Sequence, residues 1–175
     1  MEILPLRDKD IEAAMALESA CYTEADELPN ATDRWNHWFK TIDQEIVWGM
    51  FIRNKDKDDD LIGLIYAADK NPSPKRAPNN DPAYRIEALI THPAHRNKKI
   101  GSKLLSQMIC SLVSIQPKRP ITLHVEKGSD AVRLYERFGF HAVGDQGYSF
   151  DGKTYASMAL EPFKDDTLDH VPTQG

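Results

Sequence analysis

Residues 92–105, HPAHRNKKIGSKLL, crowd Arg96, Lys98, Lys99 and Lys103 around the pair Gly101-Ser102, with no acidic residue among them. An apolar pattern at helical spacing begins immediately afterwards. The cations therefore fall at a helix N-terminus, where the macrodipole favours anions. That placement makes chemical sense if an anion docks there. Backbone N–H groups of a first helical turn point outward, and a glycine lets a ligand approach the backbone closely. A solvated basic loop is the ordinary alternative, and residue types alone do not name the anion.

The rest of the chain must position this loop. Its 175 residues leave room for one core, and 41% hydrophobic with 28% charged residues is the composition of a soluble globular domain. The formal net charge of -5 argues against non-specific nucleic-acid binding and for cationic partners. MEILPLRDKD carries charge where a signal peptide needs an apolar run, and no segment is long enough to span a bilayer. A cytoplasmic protein without membrane partners is expected. Cys21 and Cys110 have neither metal-type spacing nor a disulfide framework, so no metal is expected, and Cys110 is read as core-facing.

Hydrophobic periodicity gives the element order. A short strand at Ile3-Leu4-Pro5-Leu6 leads to a helix carrying Ile11, Ala14, Met15 and Leu17, which Asp8 or Asp10 can cap. The acidic loop CYTEADELPN precedes a second helix with Trp35, Trp38 and Phe39, capped by Thr32 or Asp33. IVWGMFIR, LIGLIYAA and YRIEALIT read as strands; NKDKDDD is a hairpin tip and DKNPSPKRAPNNDP a long inter-strand loop. Leu104, Leu105, Met108, Ile109, Leu112 and Val113 mark an amphipathic helix. Strand ITLHV follows, then a helix with Ala131, Leu134, Tyr135 and Phe138, then the hairpin FHAVGDQGYSF and TYASMALE across DGK. The expectation is a single α/β domain over residues 1–163, a mixed sheet covered by helices, with a polar tail at 164–175.

The runs IEALITHPAHRNKKIGSKLL and ITLHVEKGSDAVRLYERFGF resemble the GCN5-related N-acetyltransferases, most closely from Arg85 to Phe140. The resemblance implies the acyl-CoA N-acyltransferase fold, a central twisted mixed sheet of about seven strands with about four helices. It also implies acetyl-CoA as acetyl donor. The family's pyrophosphate loop, Arg/Gln-x-x-Gly-x-Gly/Ala, falls on Arg96-Asn97-Lys98-Lys99-Ile100-Gly101, with Ser102 next; Lys99 replaces the first glycine. If the backbone there must be left-handed, a lysine costs about 1–2 kcal/mol, against which its charge attracts phosphate. Thr91 stands where the family commonly has valine, and Leu89, Ile90 and Thr91 would hold the pantetheine arm through their backbones. Gly128 and Ser129 occupy the place of a frequent asparagine, which assigns Ser129 to the cofactor site.

Acetyl transfer needs a base for the amine proton, donors for the oxyanion and an acid for the thiolate. Tyr135 lies on an apolar stripe, so periodicity alone makes it core; the resemblance makes it the acid. Glu87 and His124 compete as base, with the balance slightly toward Glu87, and the resemblance implies an ordered water relay as the third alternative. Glu87 needs a raised pKa and is expected to alternate in face with Ala88, while Arg85 occupies the position of the histone-acetylating members' glutamate. His124 needs little tuning to accept a proton near pH 7. A strand-edge ion pair and an ordinary half-buried histidine are their structural readings. Glu24, Asp26, Glu27 and Asp33, with Tyr22, Trp35 and Trp38, are candidates for an amine-binding wall, or simply solvated loop and core. The expected function is N-acetylation of a primary amine by direct attack, the acceptor a small molecule, peptide or protein and the enzyme a monomer or homodimer. A non-catalytic acyl-CoA sensor is the alternative.

Overall fold

The computed structural model describes residues 1–21, 45–54, 59–70, 82–144, 148–150 and 152–162. In chain order the elements are β1 (Glu2–Pro5), α1 (Ile11–Cys21), β2 (Glu45–Ile52), β3 (Asp60–Lys70), β4 (Ala83–Thr91), α2 (Ile100–Ile115), β5 (Ile121–Glu126), α3 (Asp130–Arg137), β6 (His141–Ala142), β7 (Tyr148–Phe150) and β8 (Lys153–Leu160). They build one sheet in the order β1-β2-β3-β4-β5-β8-β6, with β7 paired to β8. Among the described strands only β4 and β5 run parallel, and α2 is the crossover that this pairing requires.

Alternation along the strands gives the sheet two apolar faces. On one, Leu104, Leu105, Met108 and Leu112 of α2 pack with Ile86, Ile121, Leu123 and Val125. On the other, Ala14 and Leu17 of α1 pack with Leu64, Tyr66 and Ile90. In β5 the buried residues Ile121, Leu123 and Val125 alternate with Thr122, His124 and Glu126. Those three therefore lie on the face turned away from α2.

The order of the described elements agrees with the expectation, with differences that have local causes. Among the described residues the sheet has eight strands, because FHAVGDQGYSF, expected as the first strand of the final hairpin, divides into β6 and β7. Gly144, two residues past the end of β6, has a φ of 80° that favours glycine. Cys110 is exposed, not core-facing, because it lies about 200° around the helix from Met108. Asp10 accepts the Arg7 N–H at 2.9 Å within a 3-10 turn that leads into α1. The expected second helix, the Pro- and Asn-rich loop and the tail lie outside the described residues.

At the N-terminal end of the β4–β5 pair the strands are strapped together. Arg119, with a side chain only 7% exposed, forks onto Asp69 of β3 and stacks 4.5 Å from the Tyr84 ring centroid. The Tyr84 N–H donates to Pro120 O at 3.0 Å, and the Thr122 hydroxyl donates to Tyr84 O at 3.2 Å. Replacing Arg119 with methionine is expected to lower the unfolding free energy by about 3 kcal/mol. That is the low end for breaking a buried pair, since Asp69 keeps some access to water. Urea titration, compared with Lys118→Met at the neighbouring exposed position, measures it.

Candidate active site

The parallel ladder couples Tyr84, Arg85 and Ile86 to Ile121, Thr122 and Leu123, and ends there. β4 continues along β3 as far as Thr91. The divergence begins at Glu87, a β-bulge: Ile86 faces Ala67 and Ala88 faces Tyr66, which leaves Glu87 without a register partner. A bulge bends its strand and increases the twist, opening β4 away from β5. It also breaks the alternation expected between Glu87 and Ala88. Ala88 joins the α1-side core, while Glu87 meets Arg85.

The widening gap exposes backbone. The His92 N–H donates to Ile62 O of β3 at 2.9 Å, and antiparallel alternation then directs the polar groups of Ile90 toward β3. Those of Leu89 and Thr91 point to the open side. One is already used: the Cys21 thiol, at the end of α1, donates to Thr91 O at 3.4 Å. Burial raises the pKa of that thiol, outweighing Arg96, which lowers it, and Glu18 adds to the rise. Cys21 is thus kept as a thiol and is not an activated nucleophile.

Above the gap stands the basic loop. Lys99 is the residue before α2 and adopts the left-handed conformation at φ 59°, ψ 20°; Asn97 does so at φ 63°. Asparagine tolerates this region well, whereas lysine is strained in it. Left-handed Lys99 followed by the helical turn gathers successive N–H groups into a concave anion nest. The first intrahelical bond runs from the Lys103 N–H to Lys99 O at 3.0 Å, so the N–H groups of Ile100, Gly101 and Ser102 precede it. Lys98 is turned back onto its own turn, with Nζ 3.4 Å from Ala94 O and from His95 Nδ1. Arg96 and Lys103 are exposed. Lys99→Gly is expected to raise the unfolding free energy by up to about 1 kcal/mol, strain relief less the extra entropy of an unfolded glycine. Lys99→Ala keeps the strain and should show no gain in the same urea titration.

Gly101 lies where α2, α3 and the end of β4 converge. A Cβ built on it would meet nothing nearer than Leu134 at 3.6 Å, then Leu89 and Thr91 at 3.9 Å. Protein packing therefore does not require glycine there. The position is a cradle that a side chain would fill, and it fits a phosphate-bearing ligand resting on the first turn of α2.

The polar groups gather on the other face, at the mouth of the gap. Arg85 holds Glu87 Oε1 through Nε at 2.9 Å and Nη2 at 2.8 Å. His124 Nδ1 lies 3.1 Å from Ser157 Oγ, its register partner across β5 and β8. Although His124 is exposed as a residue, burial of its ring lowers its pKa, Arg85 lowers it further, and Glu87 acts in the opposite sense. The two candidate bases thus share one electrostatic environment.

Tyr135 is on the α2 side of the sheet, buried and packed edge-on against Phe140 with ring centroids 5.7 Å apart. It belongs to the core as periodicity requires, and its neighbour Leu134 touches the Gly101 cradle. Ser129 precedes α3, with its hydroxyl donating to Glu126 O at 2.8 Å. Tyr22, Glu24, Asp26, Glu27, Asp33, Trp35 and Trp38 lie outside the described residues. No cluster of three or more metal-type side chains occurs among the described residues, and no helix there is long and apolar enough to cross a membrane. The sequence reading missed Ser157, Cys21 and left-handed Asn97; only the last carries a local signal, its residue type.

An acetyltransferase (GNAT) domain family model matches residues 28–162. No curated protein matches the sequence. Among solved structures, Arabidopsis thaliana NAA60 in complex with acetyl-CoA has a TM-score of 0.71 at 16% identity, over 91% of this chain and 97% of that one. The NatC complex bound to Gag peptide and CoA gives 0.69 at 20% identity, over 93% and 100%. A chimera of spermidine N-acetyltransferase SpeG from Vibrio cholerae and hSSAT gives 0.62 at 21%, over 91% and 94%. At these identities the likeness is one of fold.

Proposed function

This chain belongs to the GNAT acetyltransferase family, and we propose that it is an N-acetyltransferase that moves the acetyl group of acetyl-CoA onto a primary amine by direct attack. The observation that carries the reading is the gap where β4–β5 pairing stops at Ile86 and Leu123, with a phosphate cradle above it and titratable groups at its mouth. Acetyl-CoA, when bound, supplies an activated acyl carbon. The N–H groups of Ile100, Gly101 and Ser102, with Arg96 and Lys103, hold its phosphates. The backbone groups of Leu89 and the N–H of Thr91 would align the arm, Thr91 O being taken by the Cys21 thiol.

His124 takes the amine proton as the new N–C bond forms and the C–S bond breaks, and Tyr135 gives its phenolic proton to the departing sulfur. Two features favour His124 over Glu87. An imidazole with lowered proton affinity is neutral near pH 7, while Glu87 is engaged by two guanidinium nitrogens. The fold relatives named for spermidine and for a peptide suggest the two acceptors to try first. Incubation with acetyl-CoA and either spermidine or a short peptide with a free N-terminus should release CoA thiol and yield the acetylated amine. Tight acetyl-CoA binding with no acetylated product from an amine panel would favour the non-catalytic sensor instead.

A further inference from the structure

The polar face of β5 and β8 contains a residue with no part in the mechanism so far. Ser157 is buried enough to be half-sheltered, sits directly opposite His124 in the ladder, and brings its Oγ to 3.1 Å from Nδ1. We propose that Ser157 is a positioning residue: its hydroxyl accepts the Nδ1–H of His124, which places the proton-accepting lone pair on Nε2. The inference rests on the acetyltransferase reading for its purpose, though not for its geometry.

A serine hydroxyl can donate or accept, and the two arrangements have opposite consequences. If it donated to Nδ1, the neutral ring would carry its proton on Nε2 and have no lone pair there to accept another. If it accepts from Nδ1–H, the contact survives the whole proton cycle, because the imidazolium also has a proton on Nδ1. The surroundings make such a hold useful. Arg85 disfavours the charged ring, and Glu87, on the same strand, favours it. Glu126 on β5, Tyr155 and Lys153 on β8 and His141 on β6 are further titratable groups on this face, with Lys153 Nζ 3.7 Å from Glu126 Oε2. Ser157 adds an uncharged acceptor for the cation and fixes the ring against rotation.

Ring-nitrogen NMR decides the matter without an acceptor substrate. Long-range ¹H–¹⁵N spectra of the unsubstituted protein, with His124→Gln to identify the signals among six histidines, should show Nδ1–H and a bare Nε2 above the ring's transition. Ser157→Ala should give mixed tautomers and move the transition about one pH unit lower, as the cation loses its acceptor. Ser157→Thr should restore both, and Ser157→Cys replaces the alanine variant if that one does not fold. With an active acceptor, Ser157→Ala should lower kcat roughly tenfold, a fraction of the ~10²–10⁴-fold contribution of a positioned base, with KM for acetyl-CoA unchanged. A proton on Nε2 in the unsubstituted protein, or a tautomer indifferent to Ser157→Ala, overturns the proposal. The expected tautomer in a protein that acetylates no amine upholds the Ser157 hold and removes the acetyltransferase reading instead.

Discussion

Glutamate at position 101 is expected to abolish the rise in melting temperature that acetyl-CoA gives the unsubstituted protein, while leaving the ligand-free protein at least as stable. Both halves follow from the cradle. The added Cβ meets only ordinary contacts with Leu134, Leu89 and Thr91, and Gly101 is not among the left-handed positions. Glycine is about 1 kcal/mol worse than alanine inside a helix, and an acidic side chain in a first turn suits the macrodipole. The substitution therefore favours α2 in the absence of ligand. With ligand, its carboxylate lies where phosphate oxygens need the N–H groups of Ile100, Gly101 and Ser102. The unsubstituted protein at ~100 times the Kd should gain about 2.7 kcal/mol. For a domain of this size that is roughly 5–10 °C. A differential scan of both proteins with and without acetyl-CoA measures it. An equal rise in both would place the cofactor elsewhere; a ligand-free variant melting far lower would show that glycine serves the fold.

What could be read from residues was whatever depends on neighbours in the chain. Helix α2 announces itself through Leu104, Leu105, Met108 and Leu112, and β5 through the alternation that leaves His124 facing outward. The anion loop is local as well, a cluster of cations before Gly101. What depends on register was not legible. Ser157 meets His124 because β8 enters the sheet between β5 and β6, out of sequence order. Nothing in either segment encodes that insertion. The bulge at Glu87 has no glycine to mark it; it appears only when Ile86 and Ala88 are matched to successive residues of β3. It sets both the gap and the ion pair to Arg85, so the choice between two bases had to wait for it.

His124→Gln should lower kcat by ~10²–10⁴-fold at neutral pH, with the melting temperature and its response to acetyl-CoA retained. Glutamine keeps a polar contact to Ser157 but cannot accept and hold a proton. The pH dependence gives the sharper test. Burial and Arg85 lower the proton affinity of His124 more than Glu87 raises it, so the acid limb of kcat/KM should fall below the ordinary imidazole value of ~6.5. Arg85→Gln removes a cation that opposes the charged ring and should move the limb to higher pH. Glu87→Gln removes the opposing carboxylate and should move it lower while activity at pH 7 survives. Loss of activity in Glu87→Gln, with His124→Gln still active, would reverse the assignment and make Glu87 the base. Stability follows the same linkage. With a folded pKa below the unfolded value, the unfolded chain binds more protons as pH falls through ~6.5. The native state therefore loses stability from about that pH downward to the folded pKa, and His124→Gln should flatten this part of the profile.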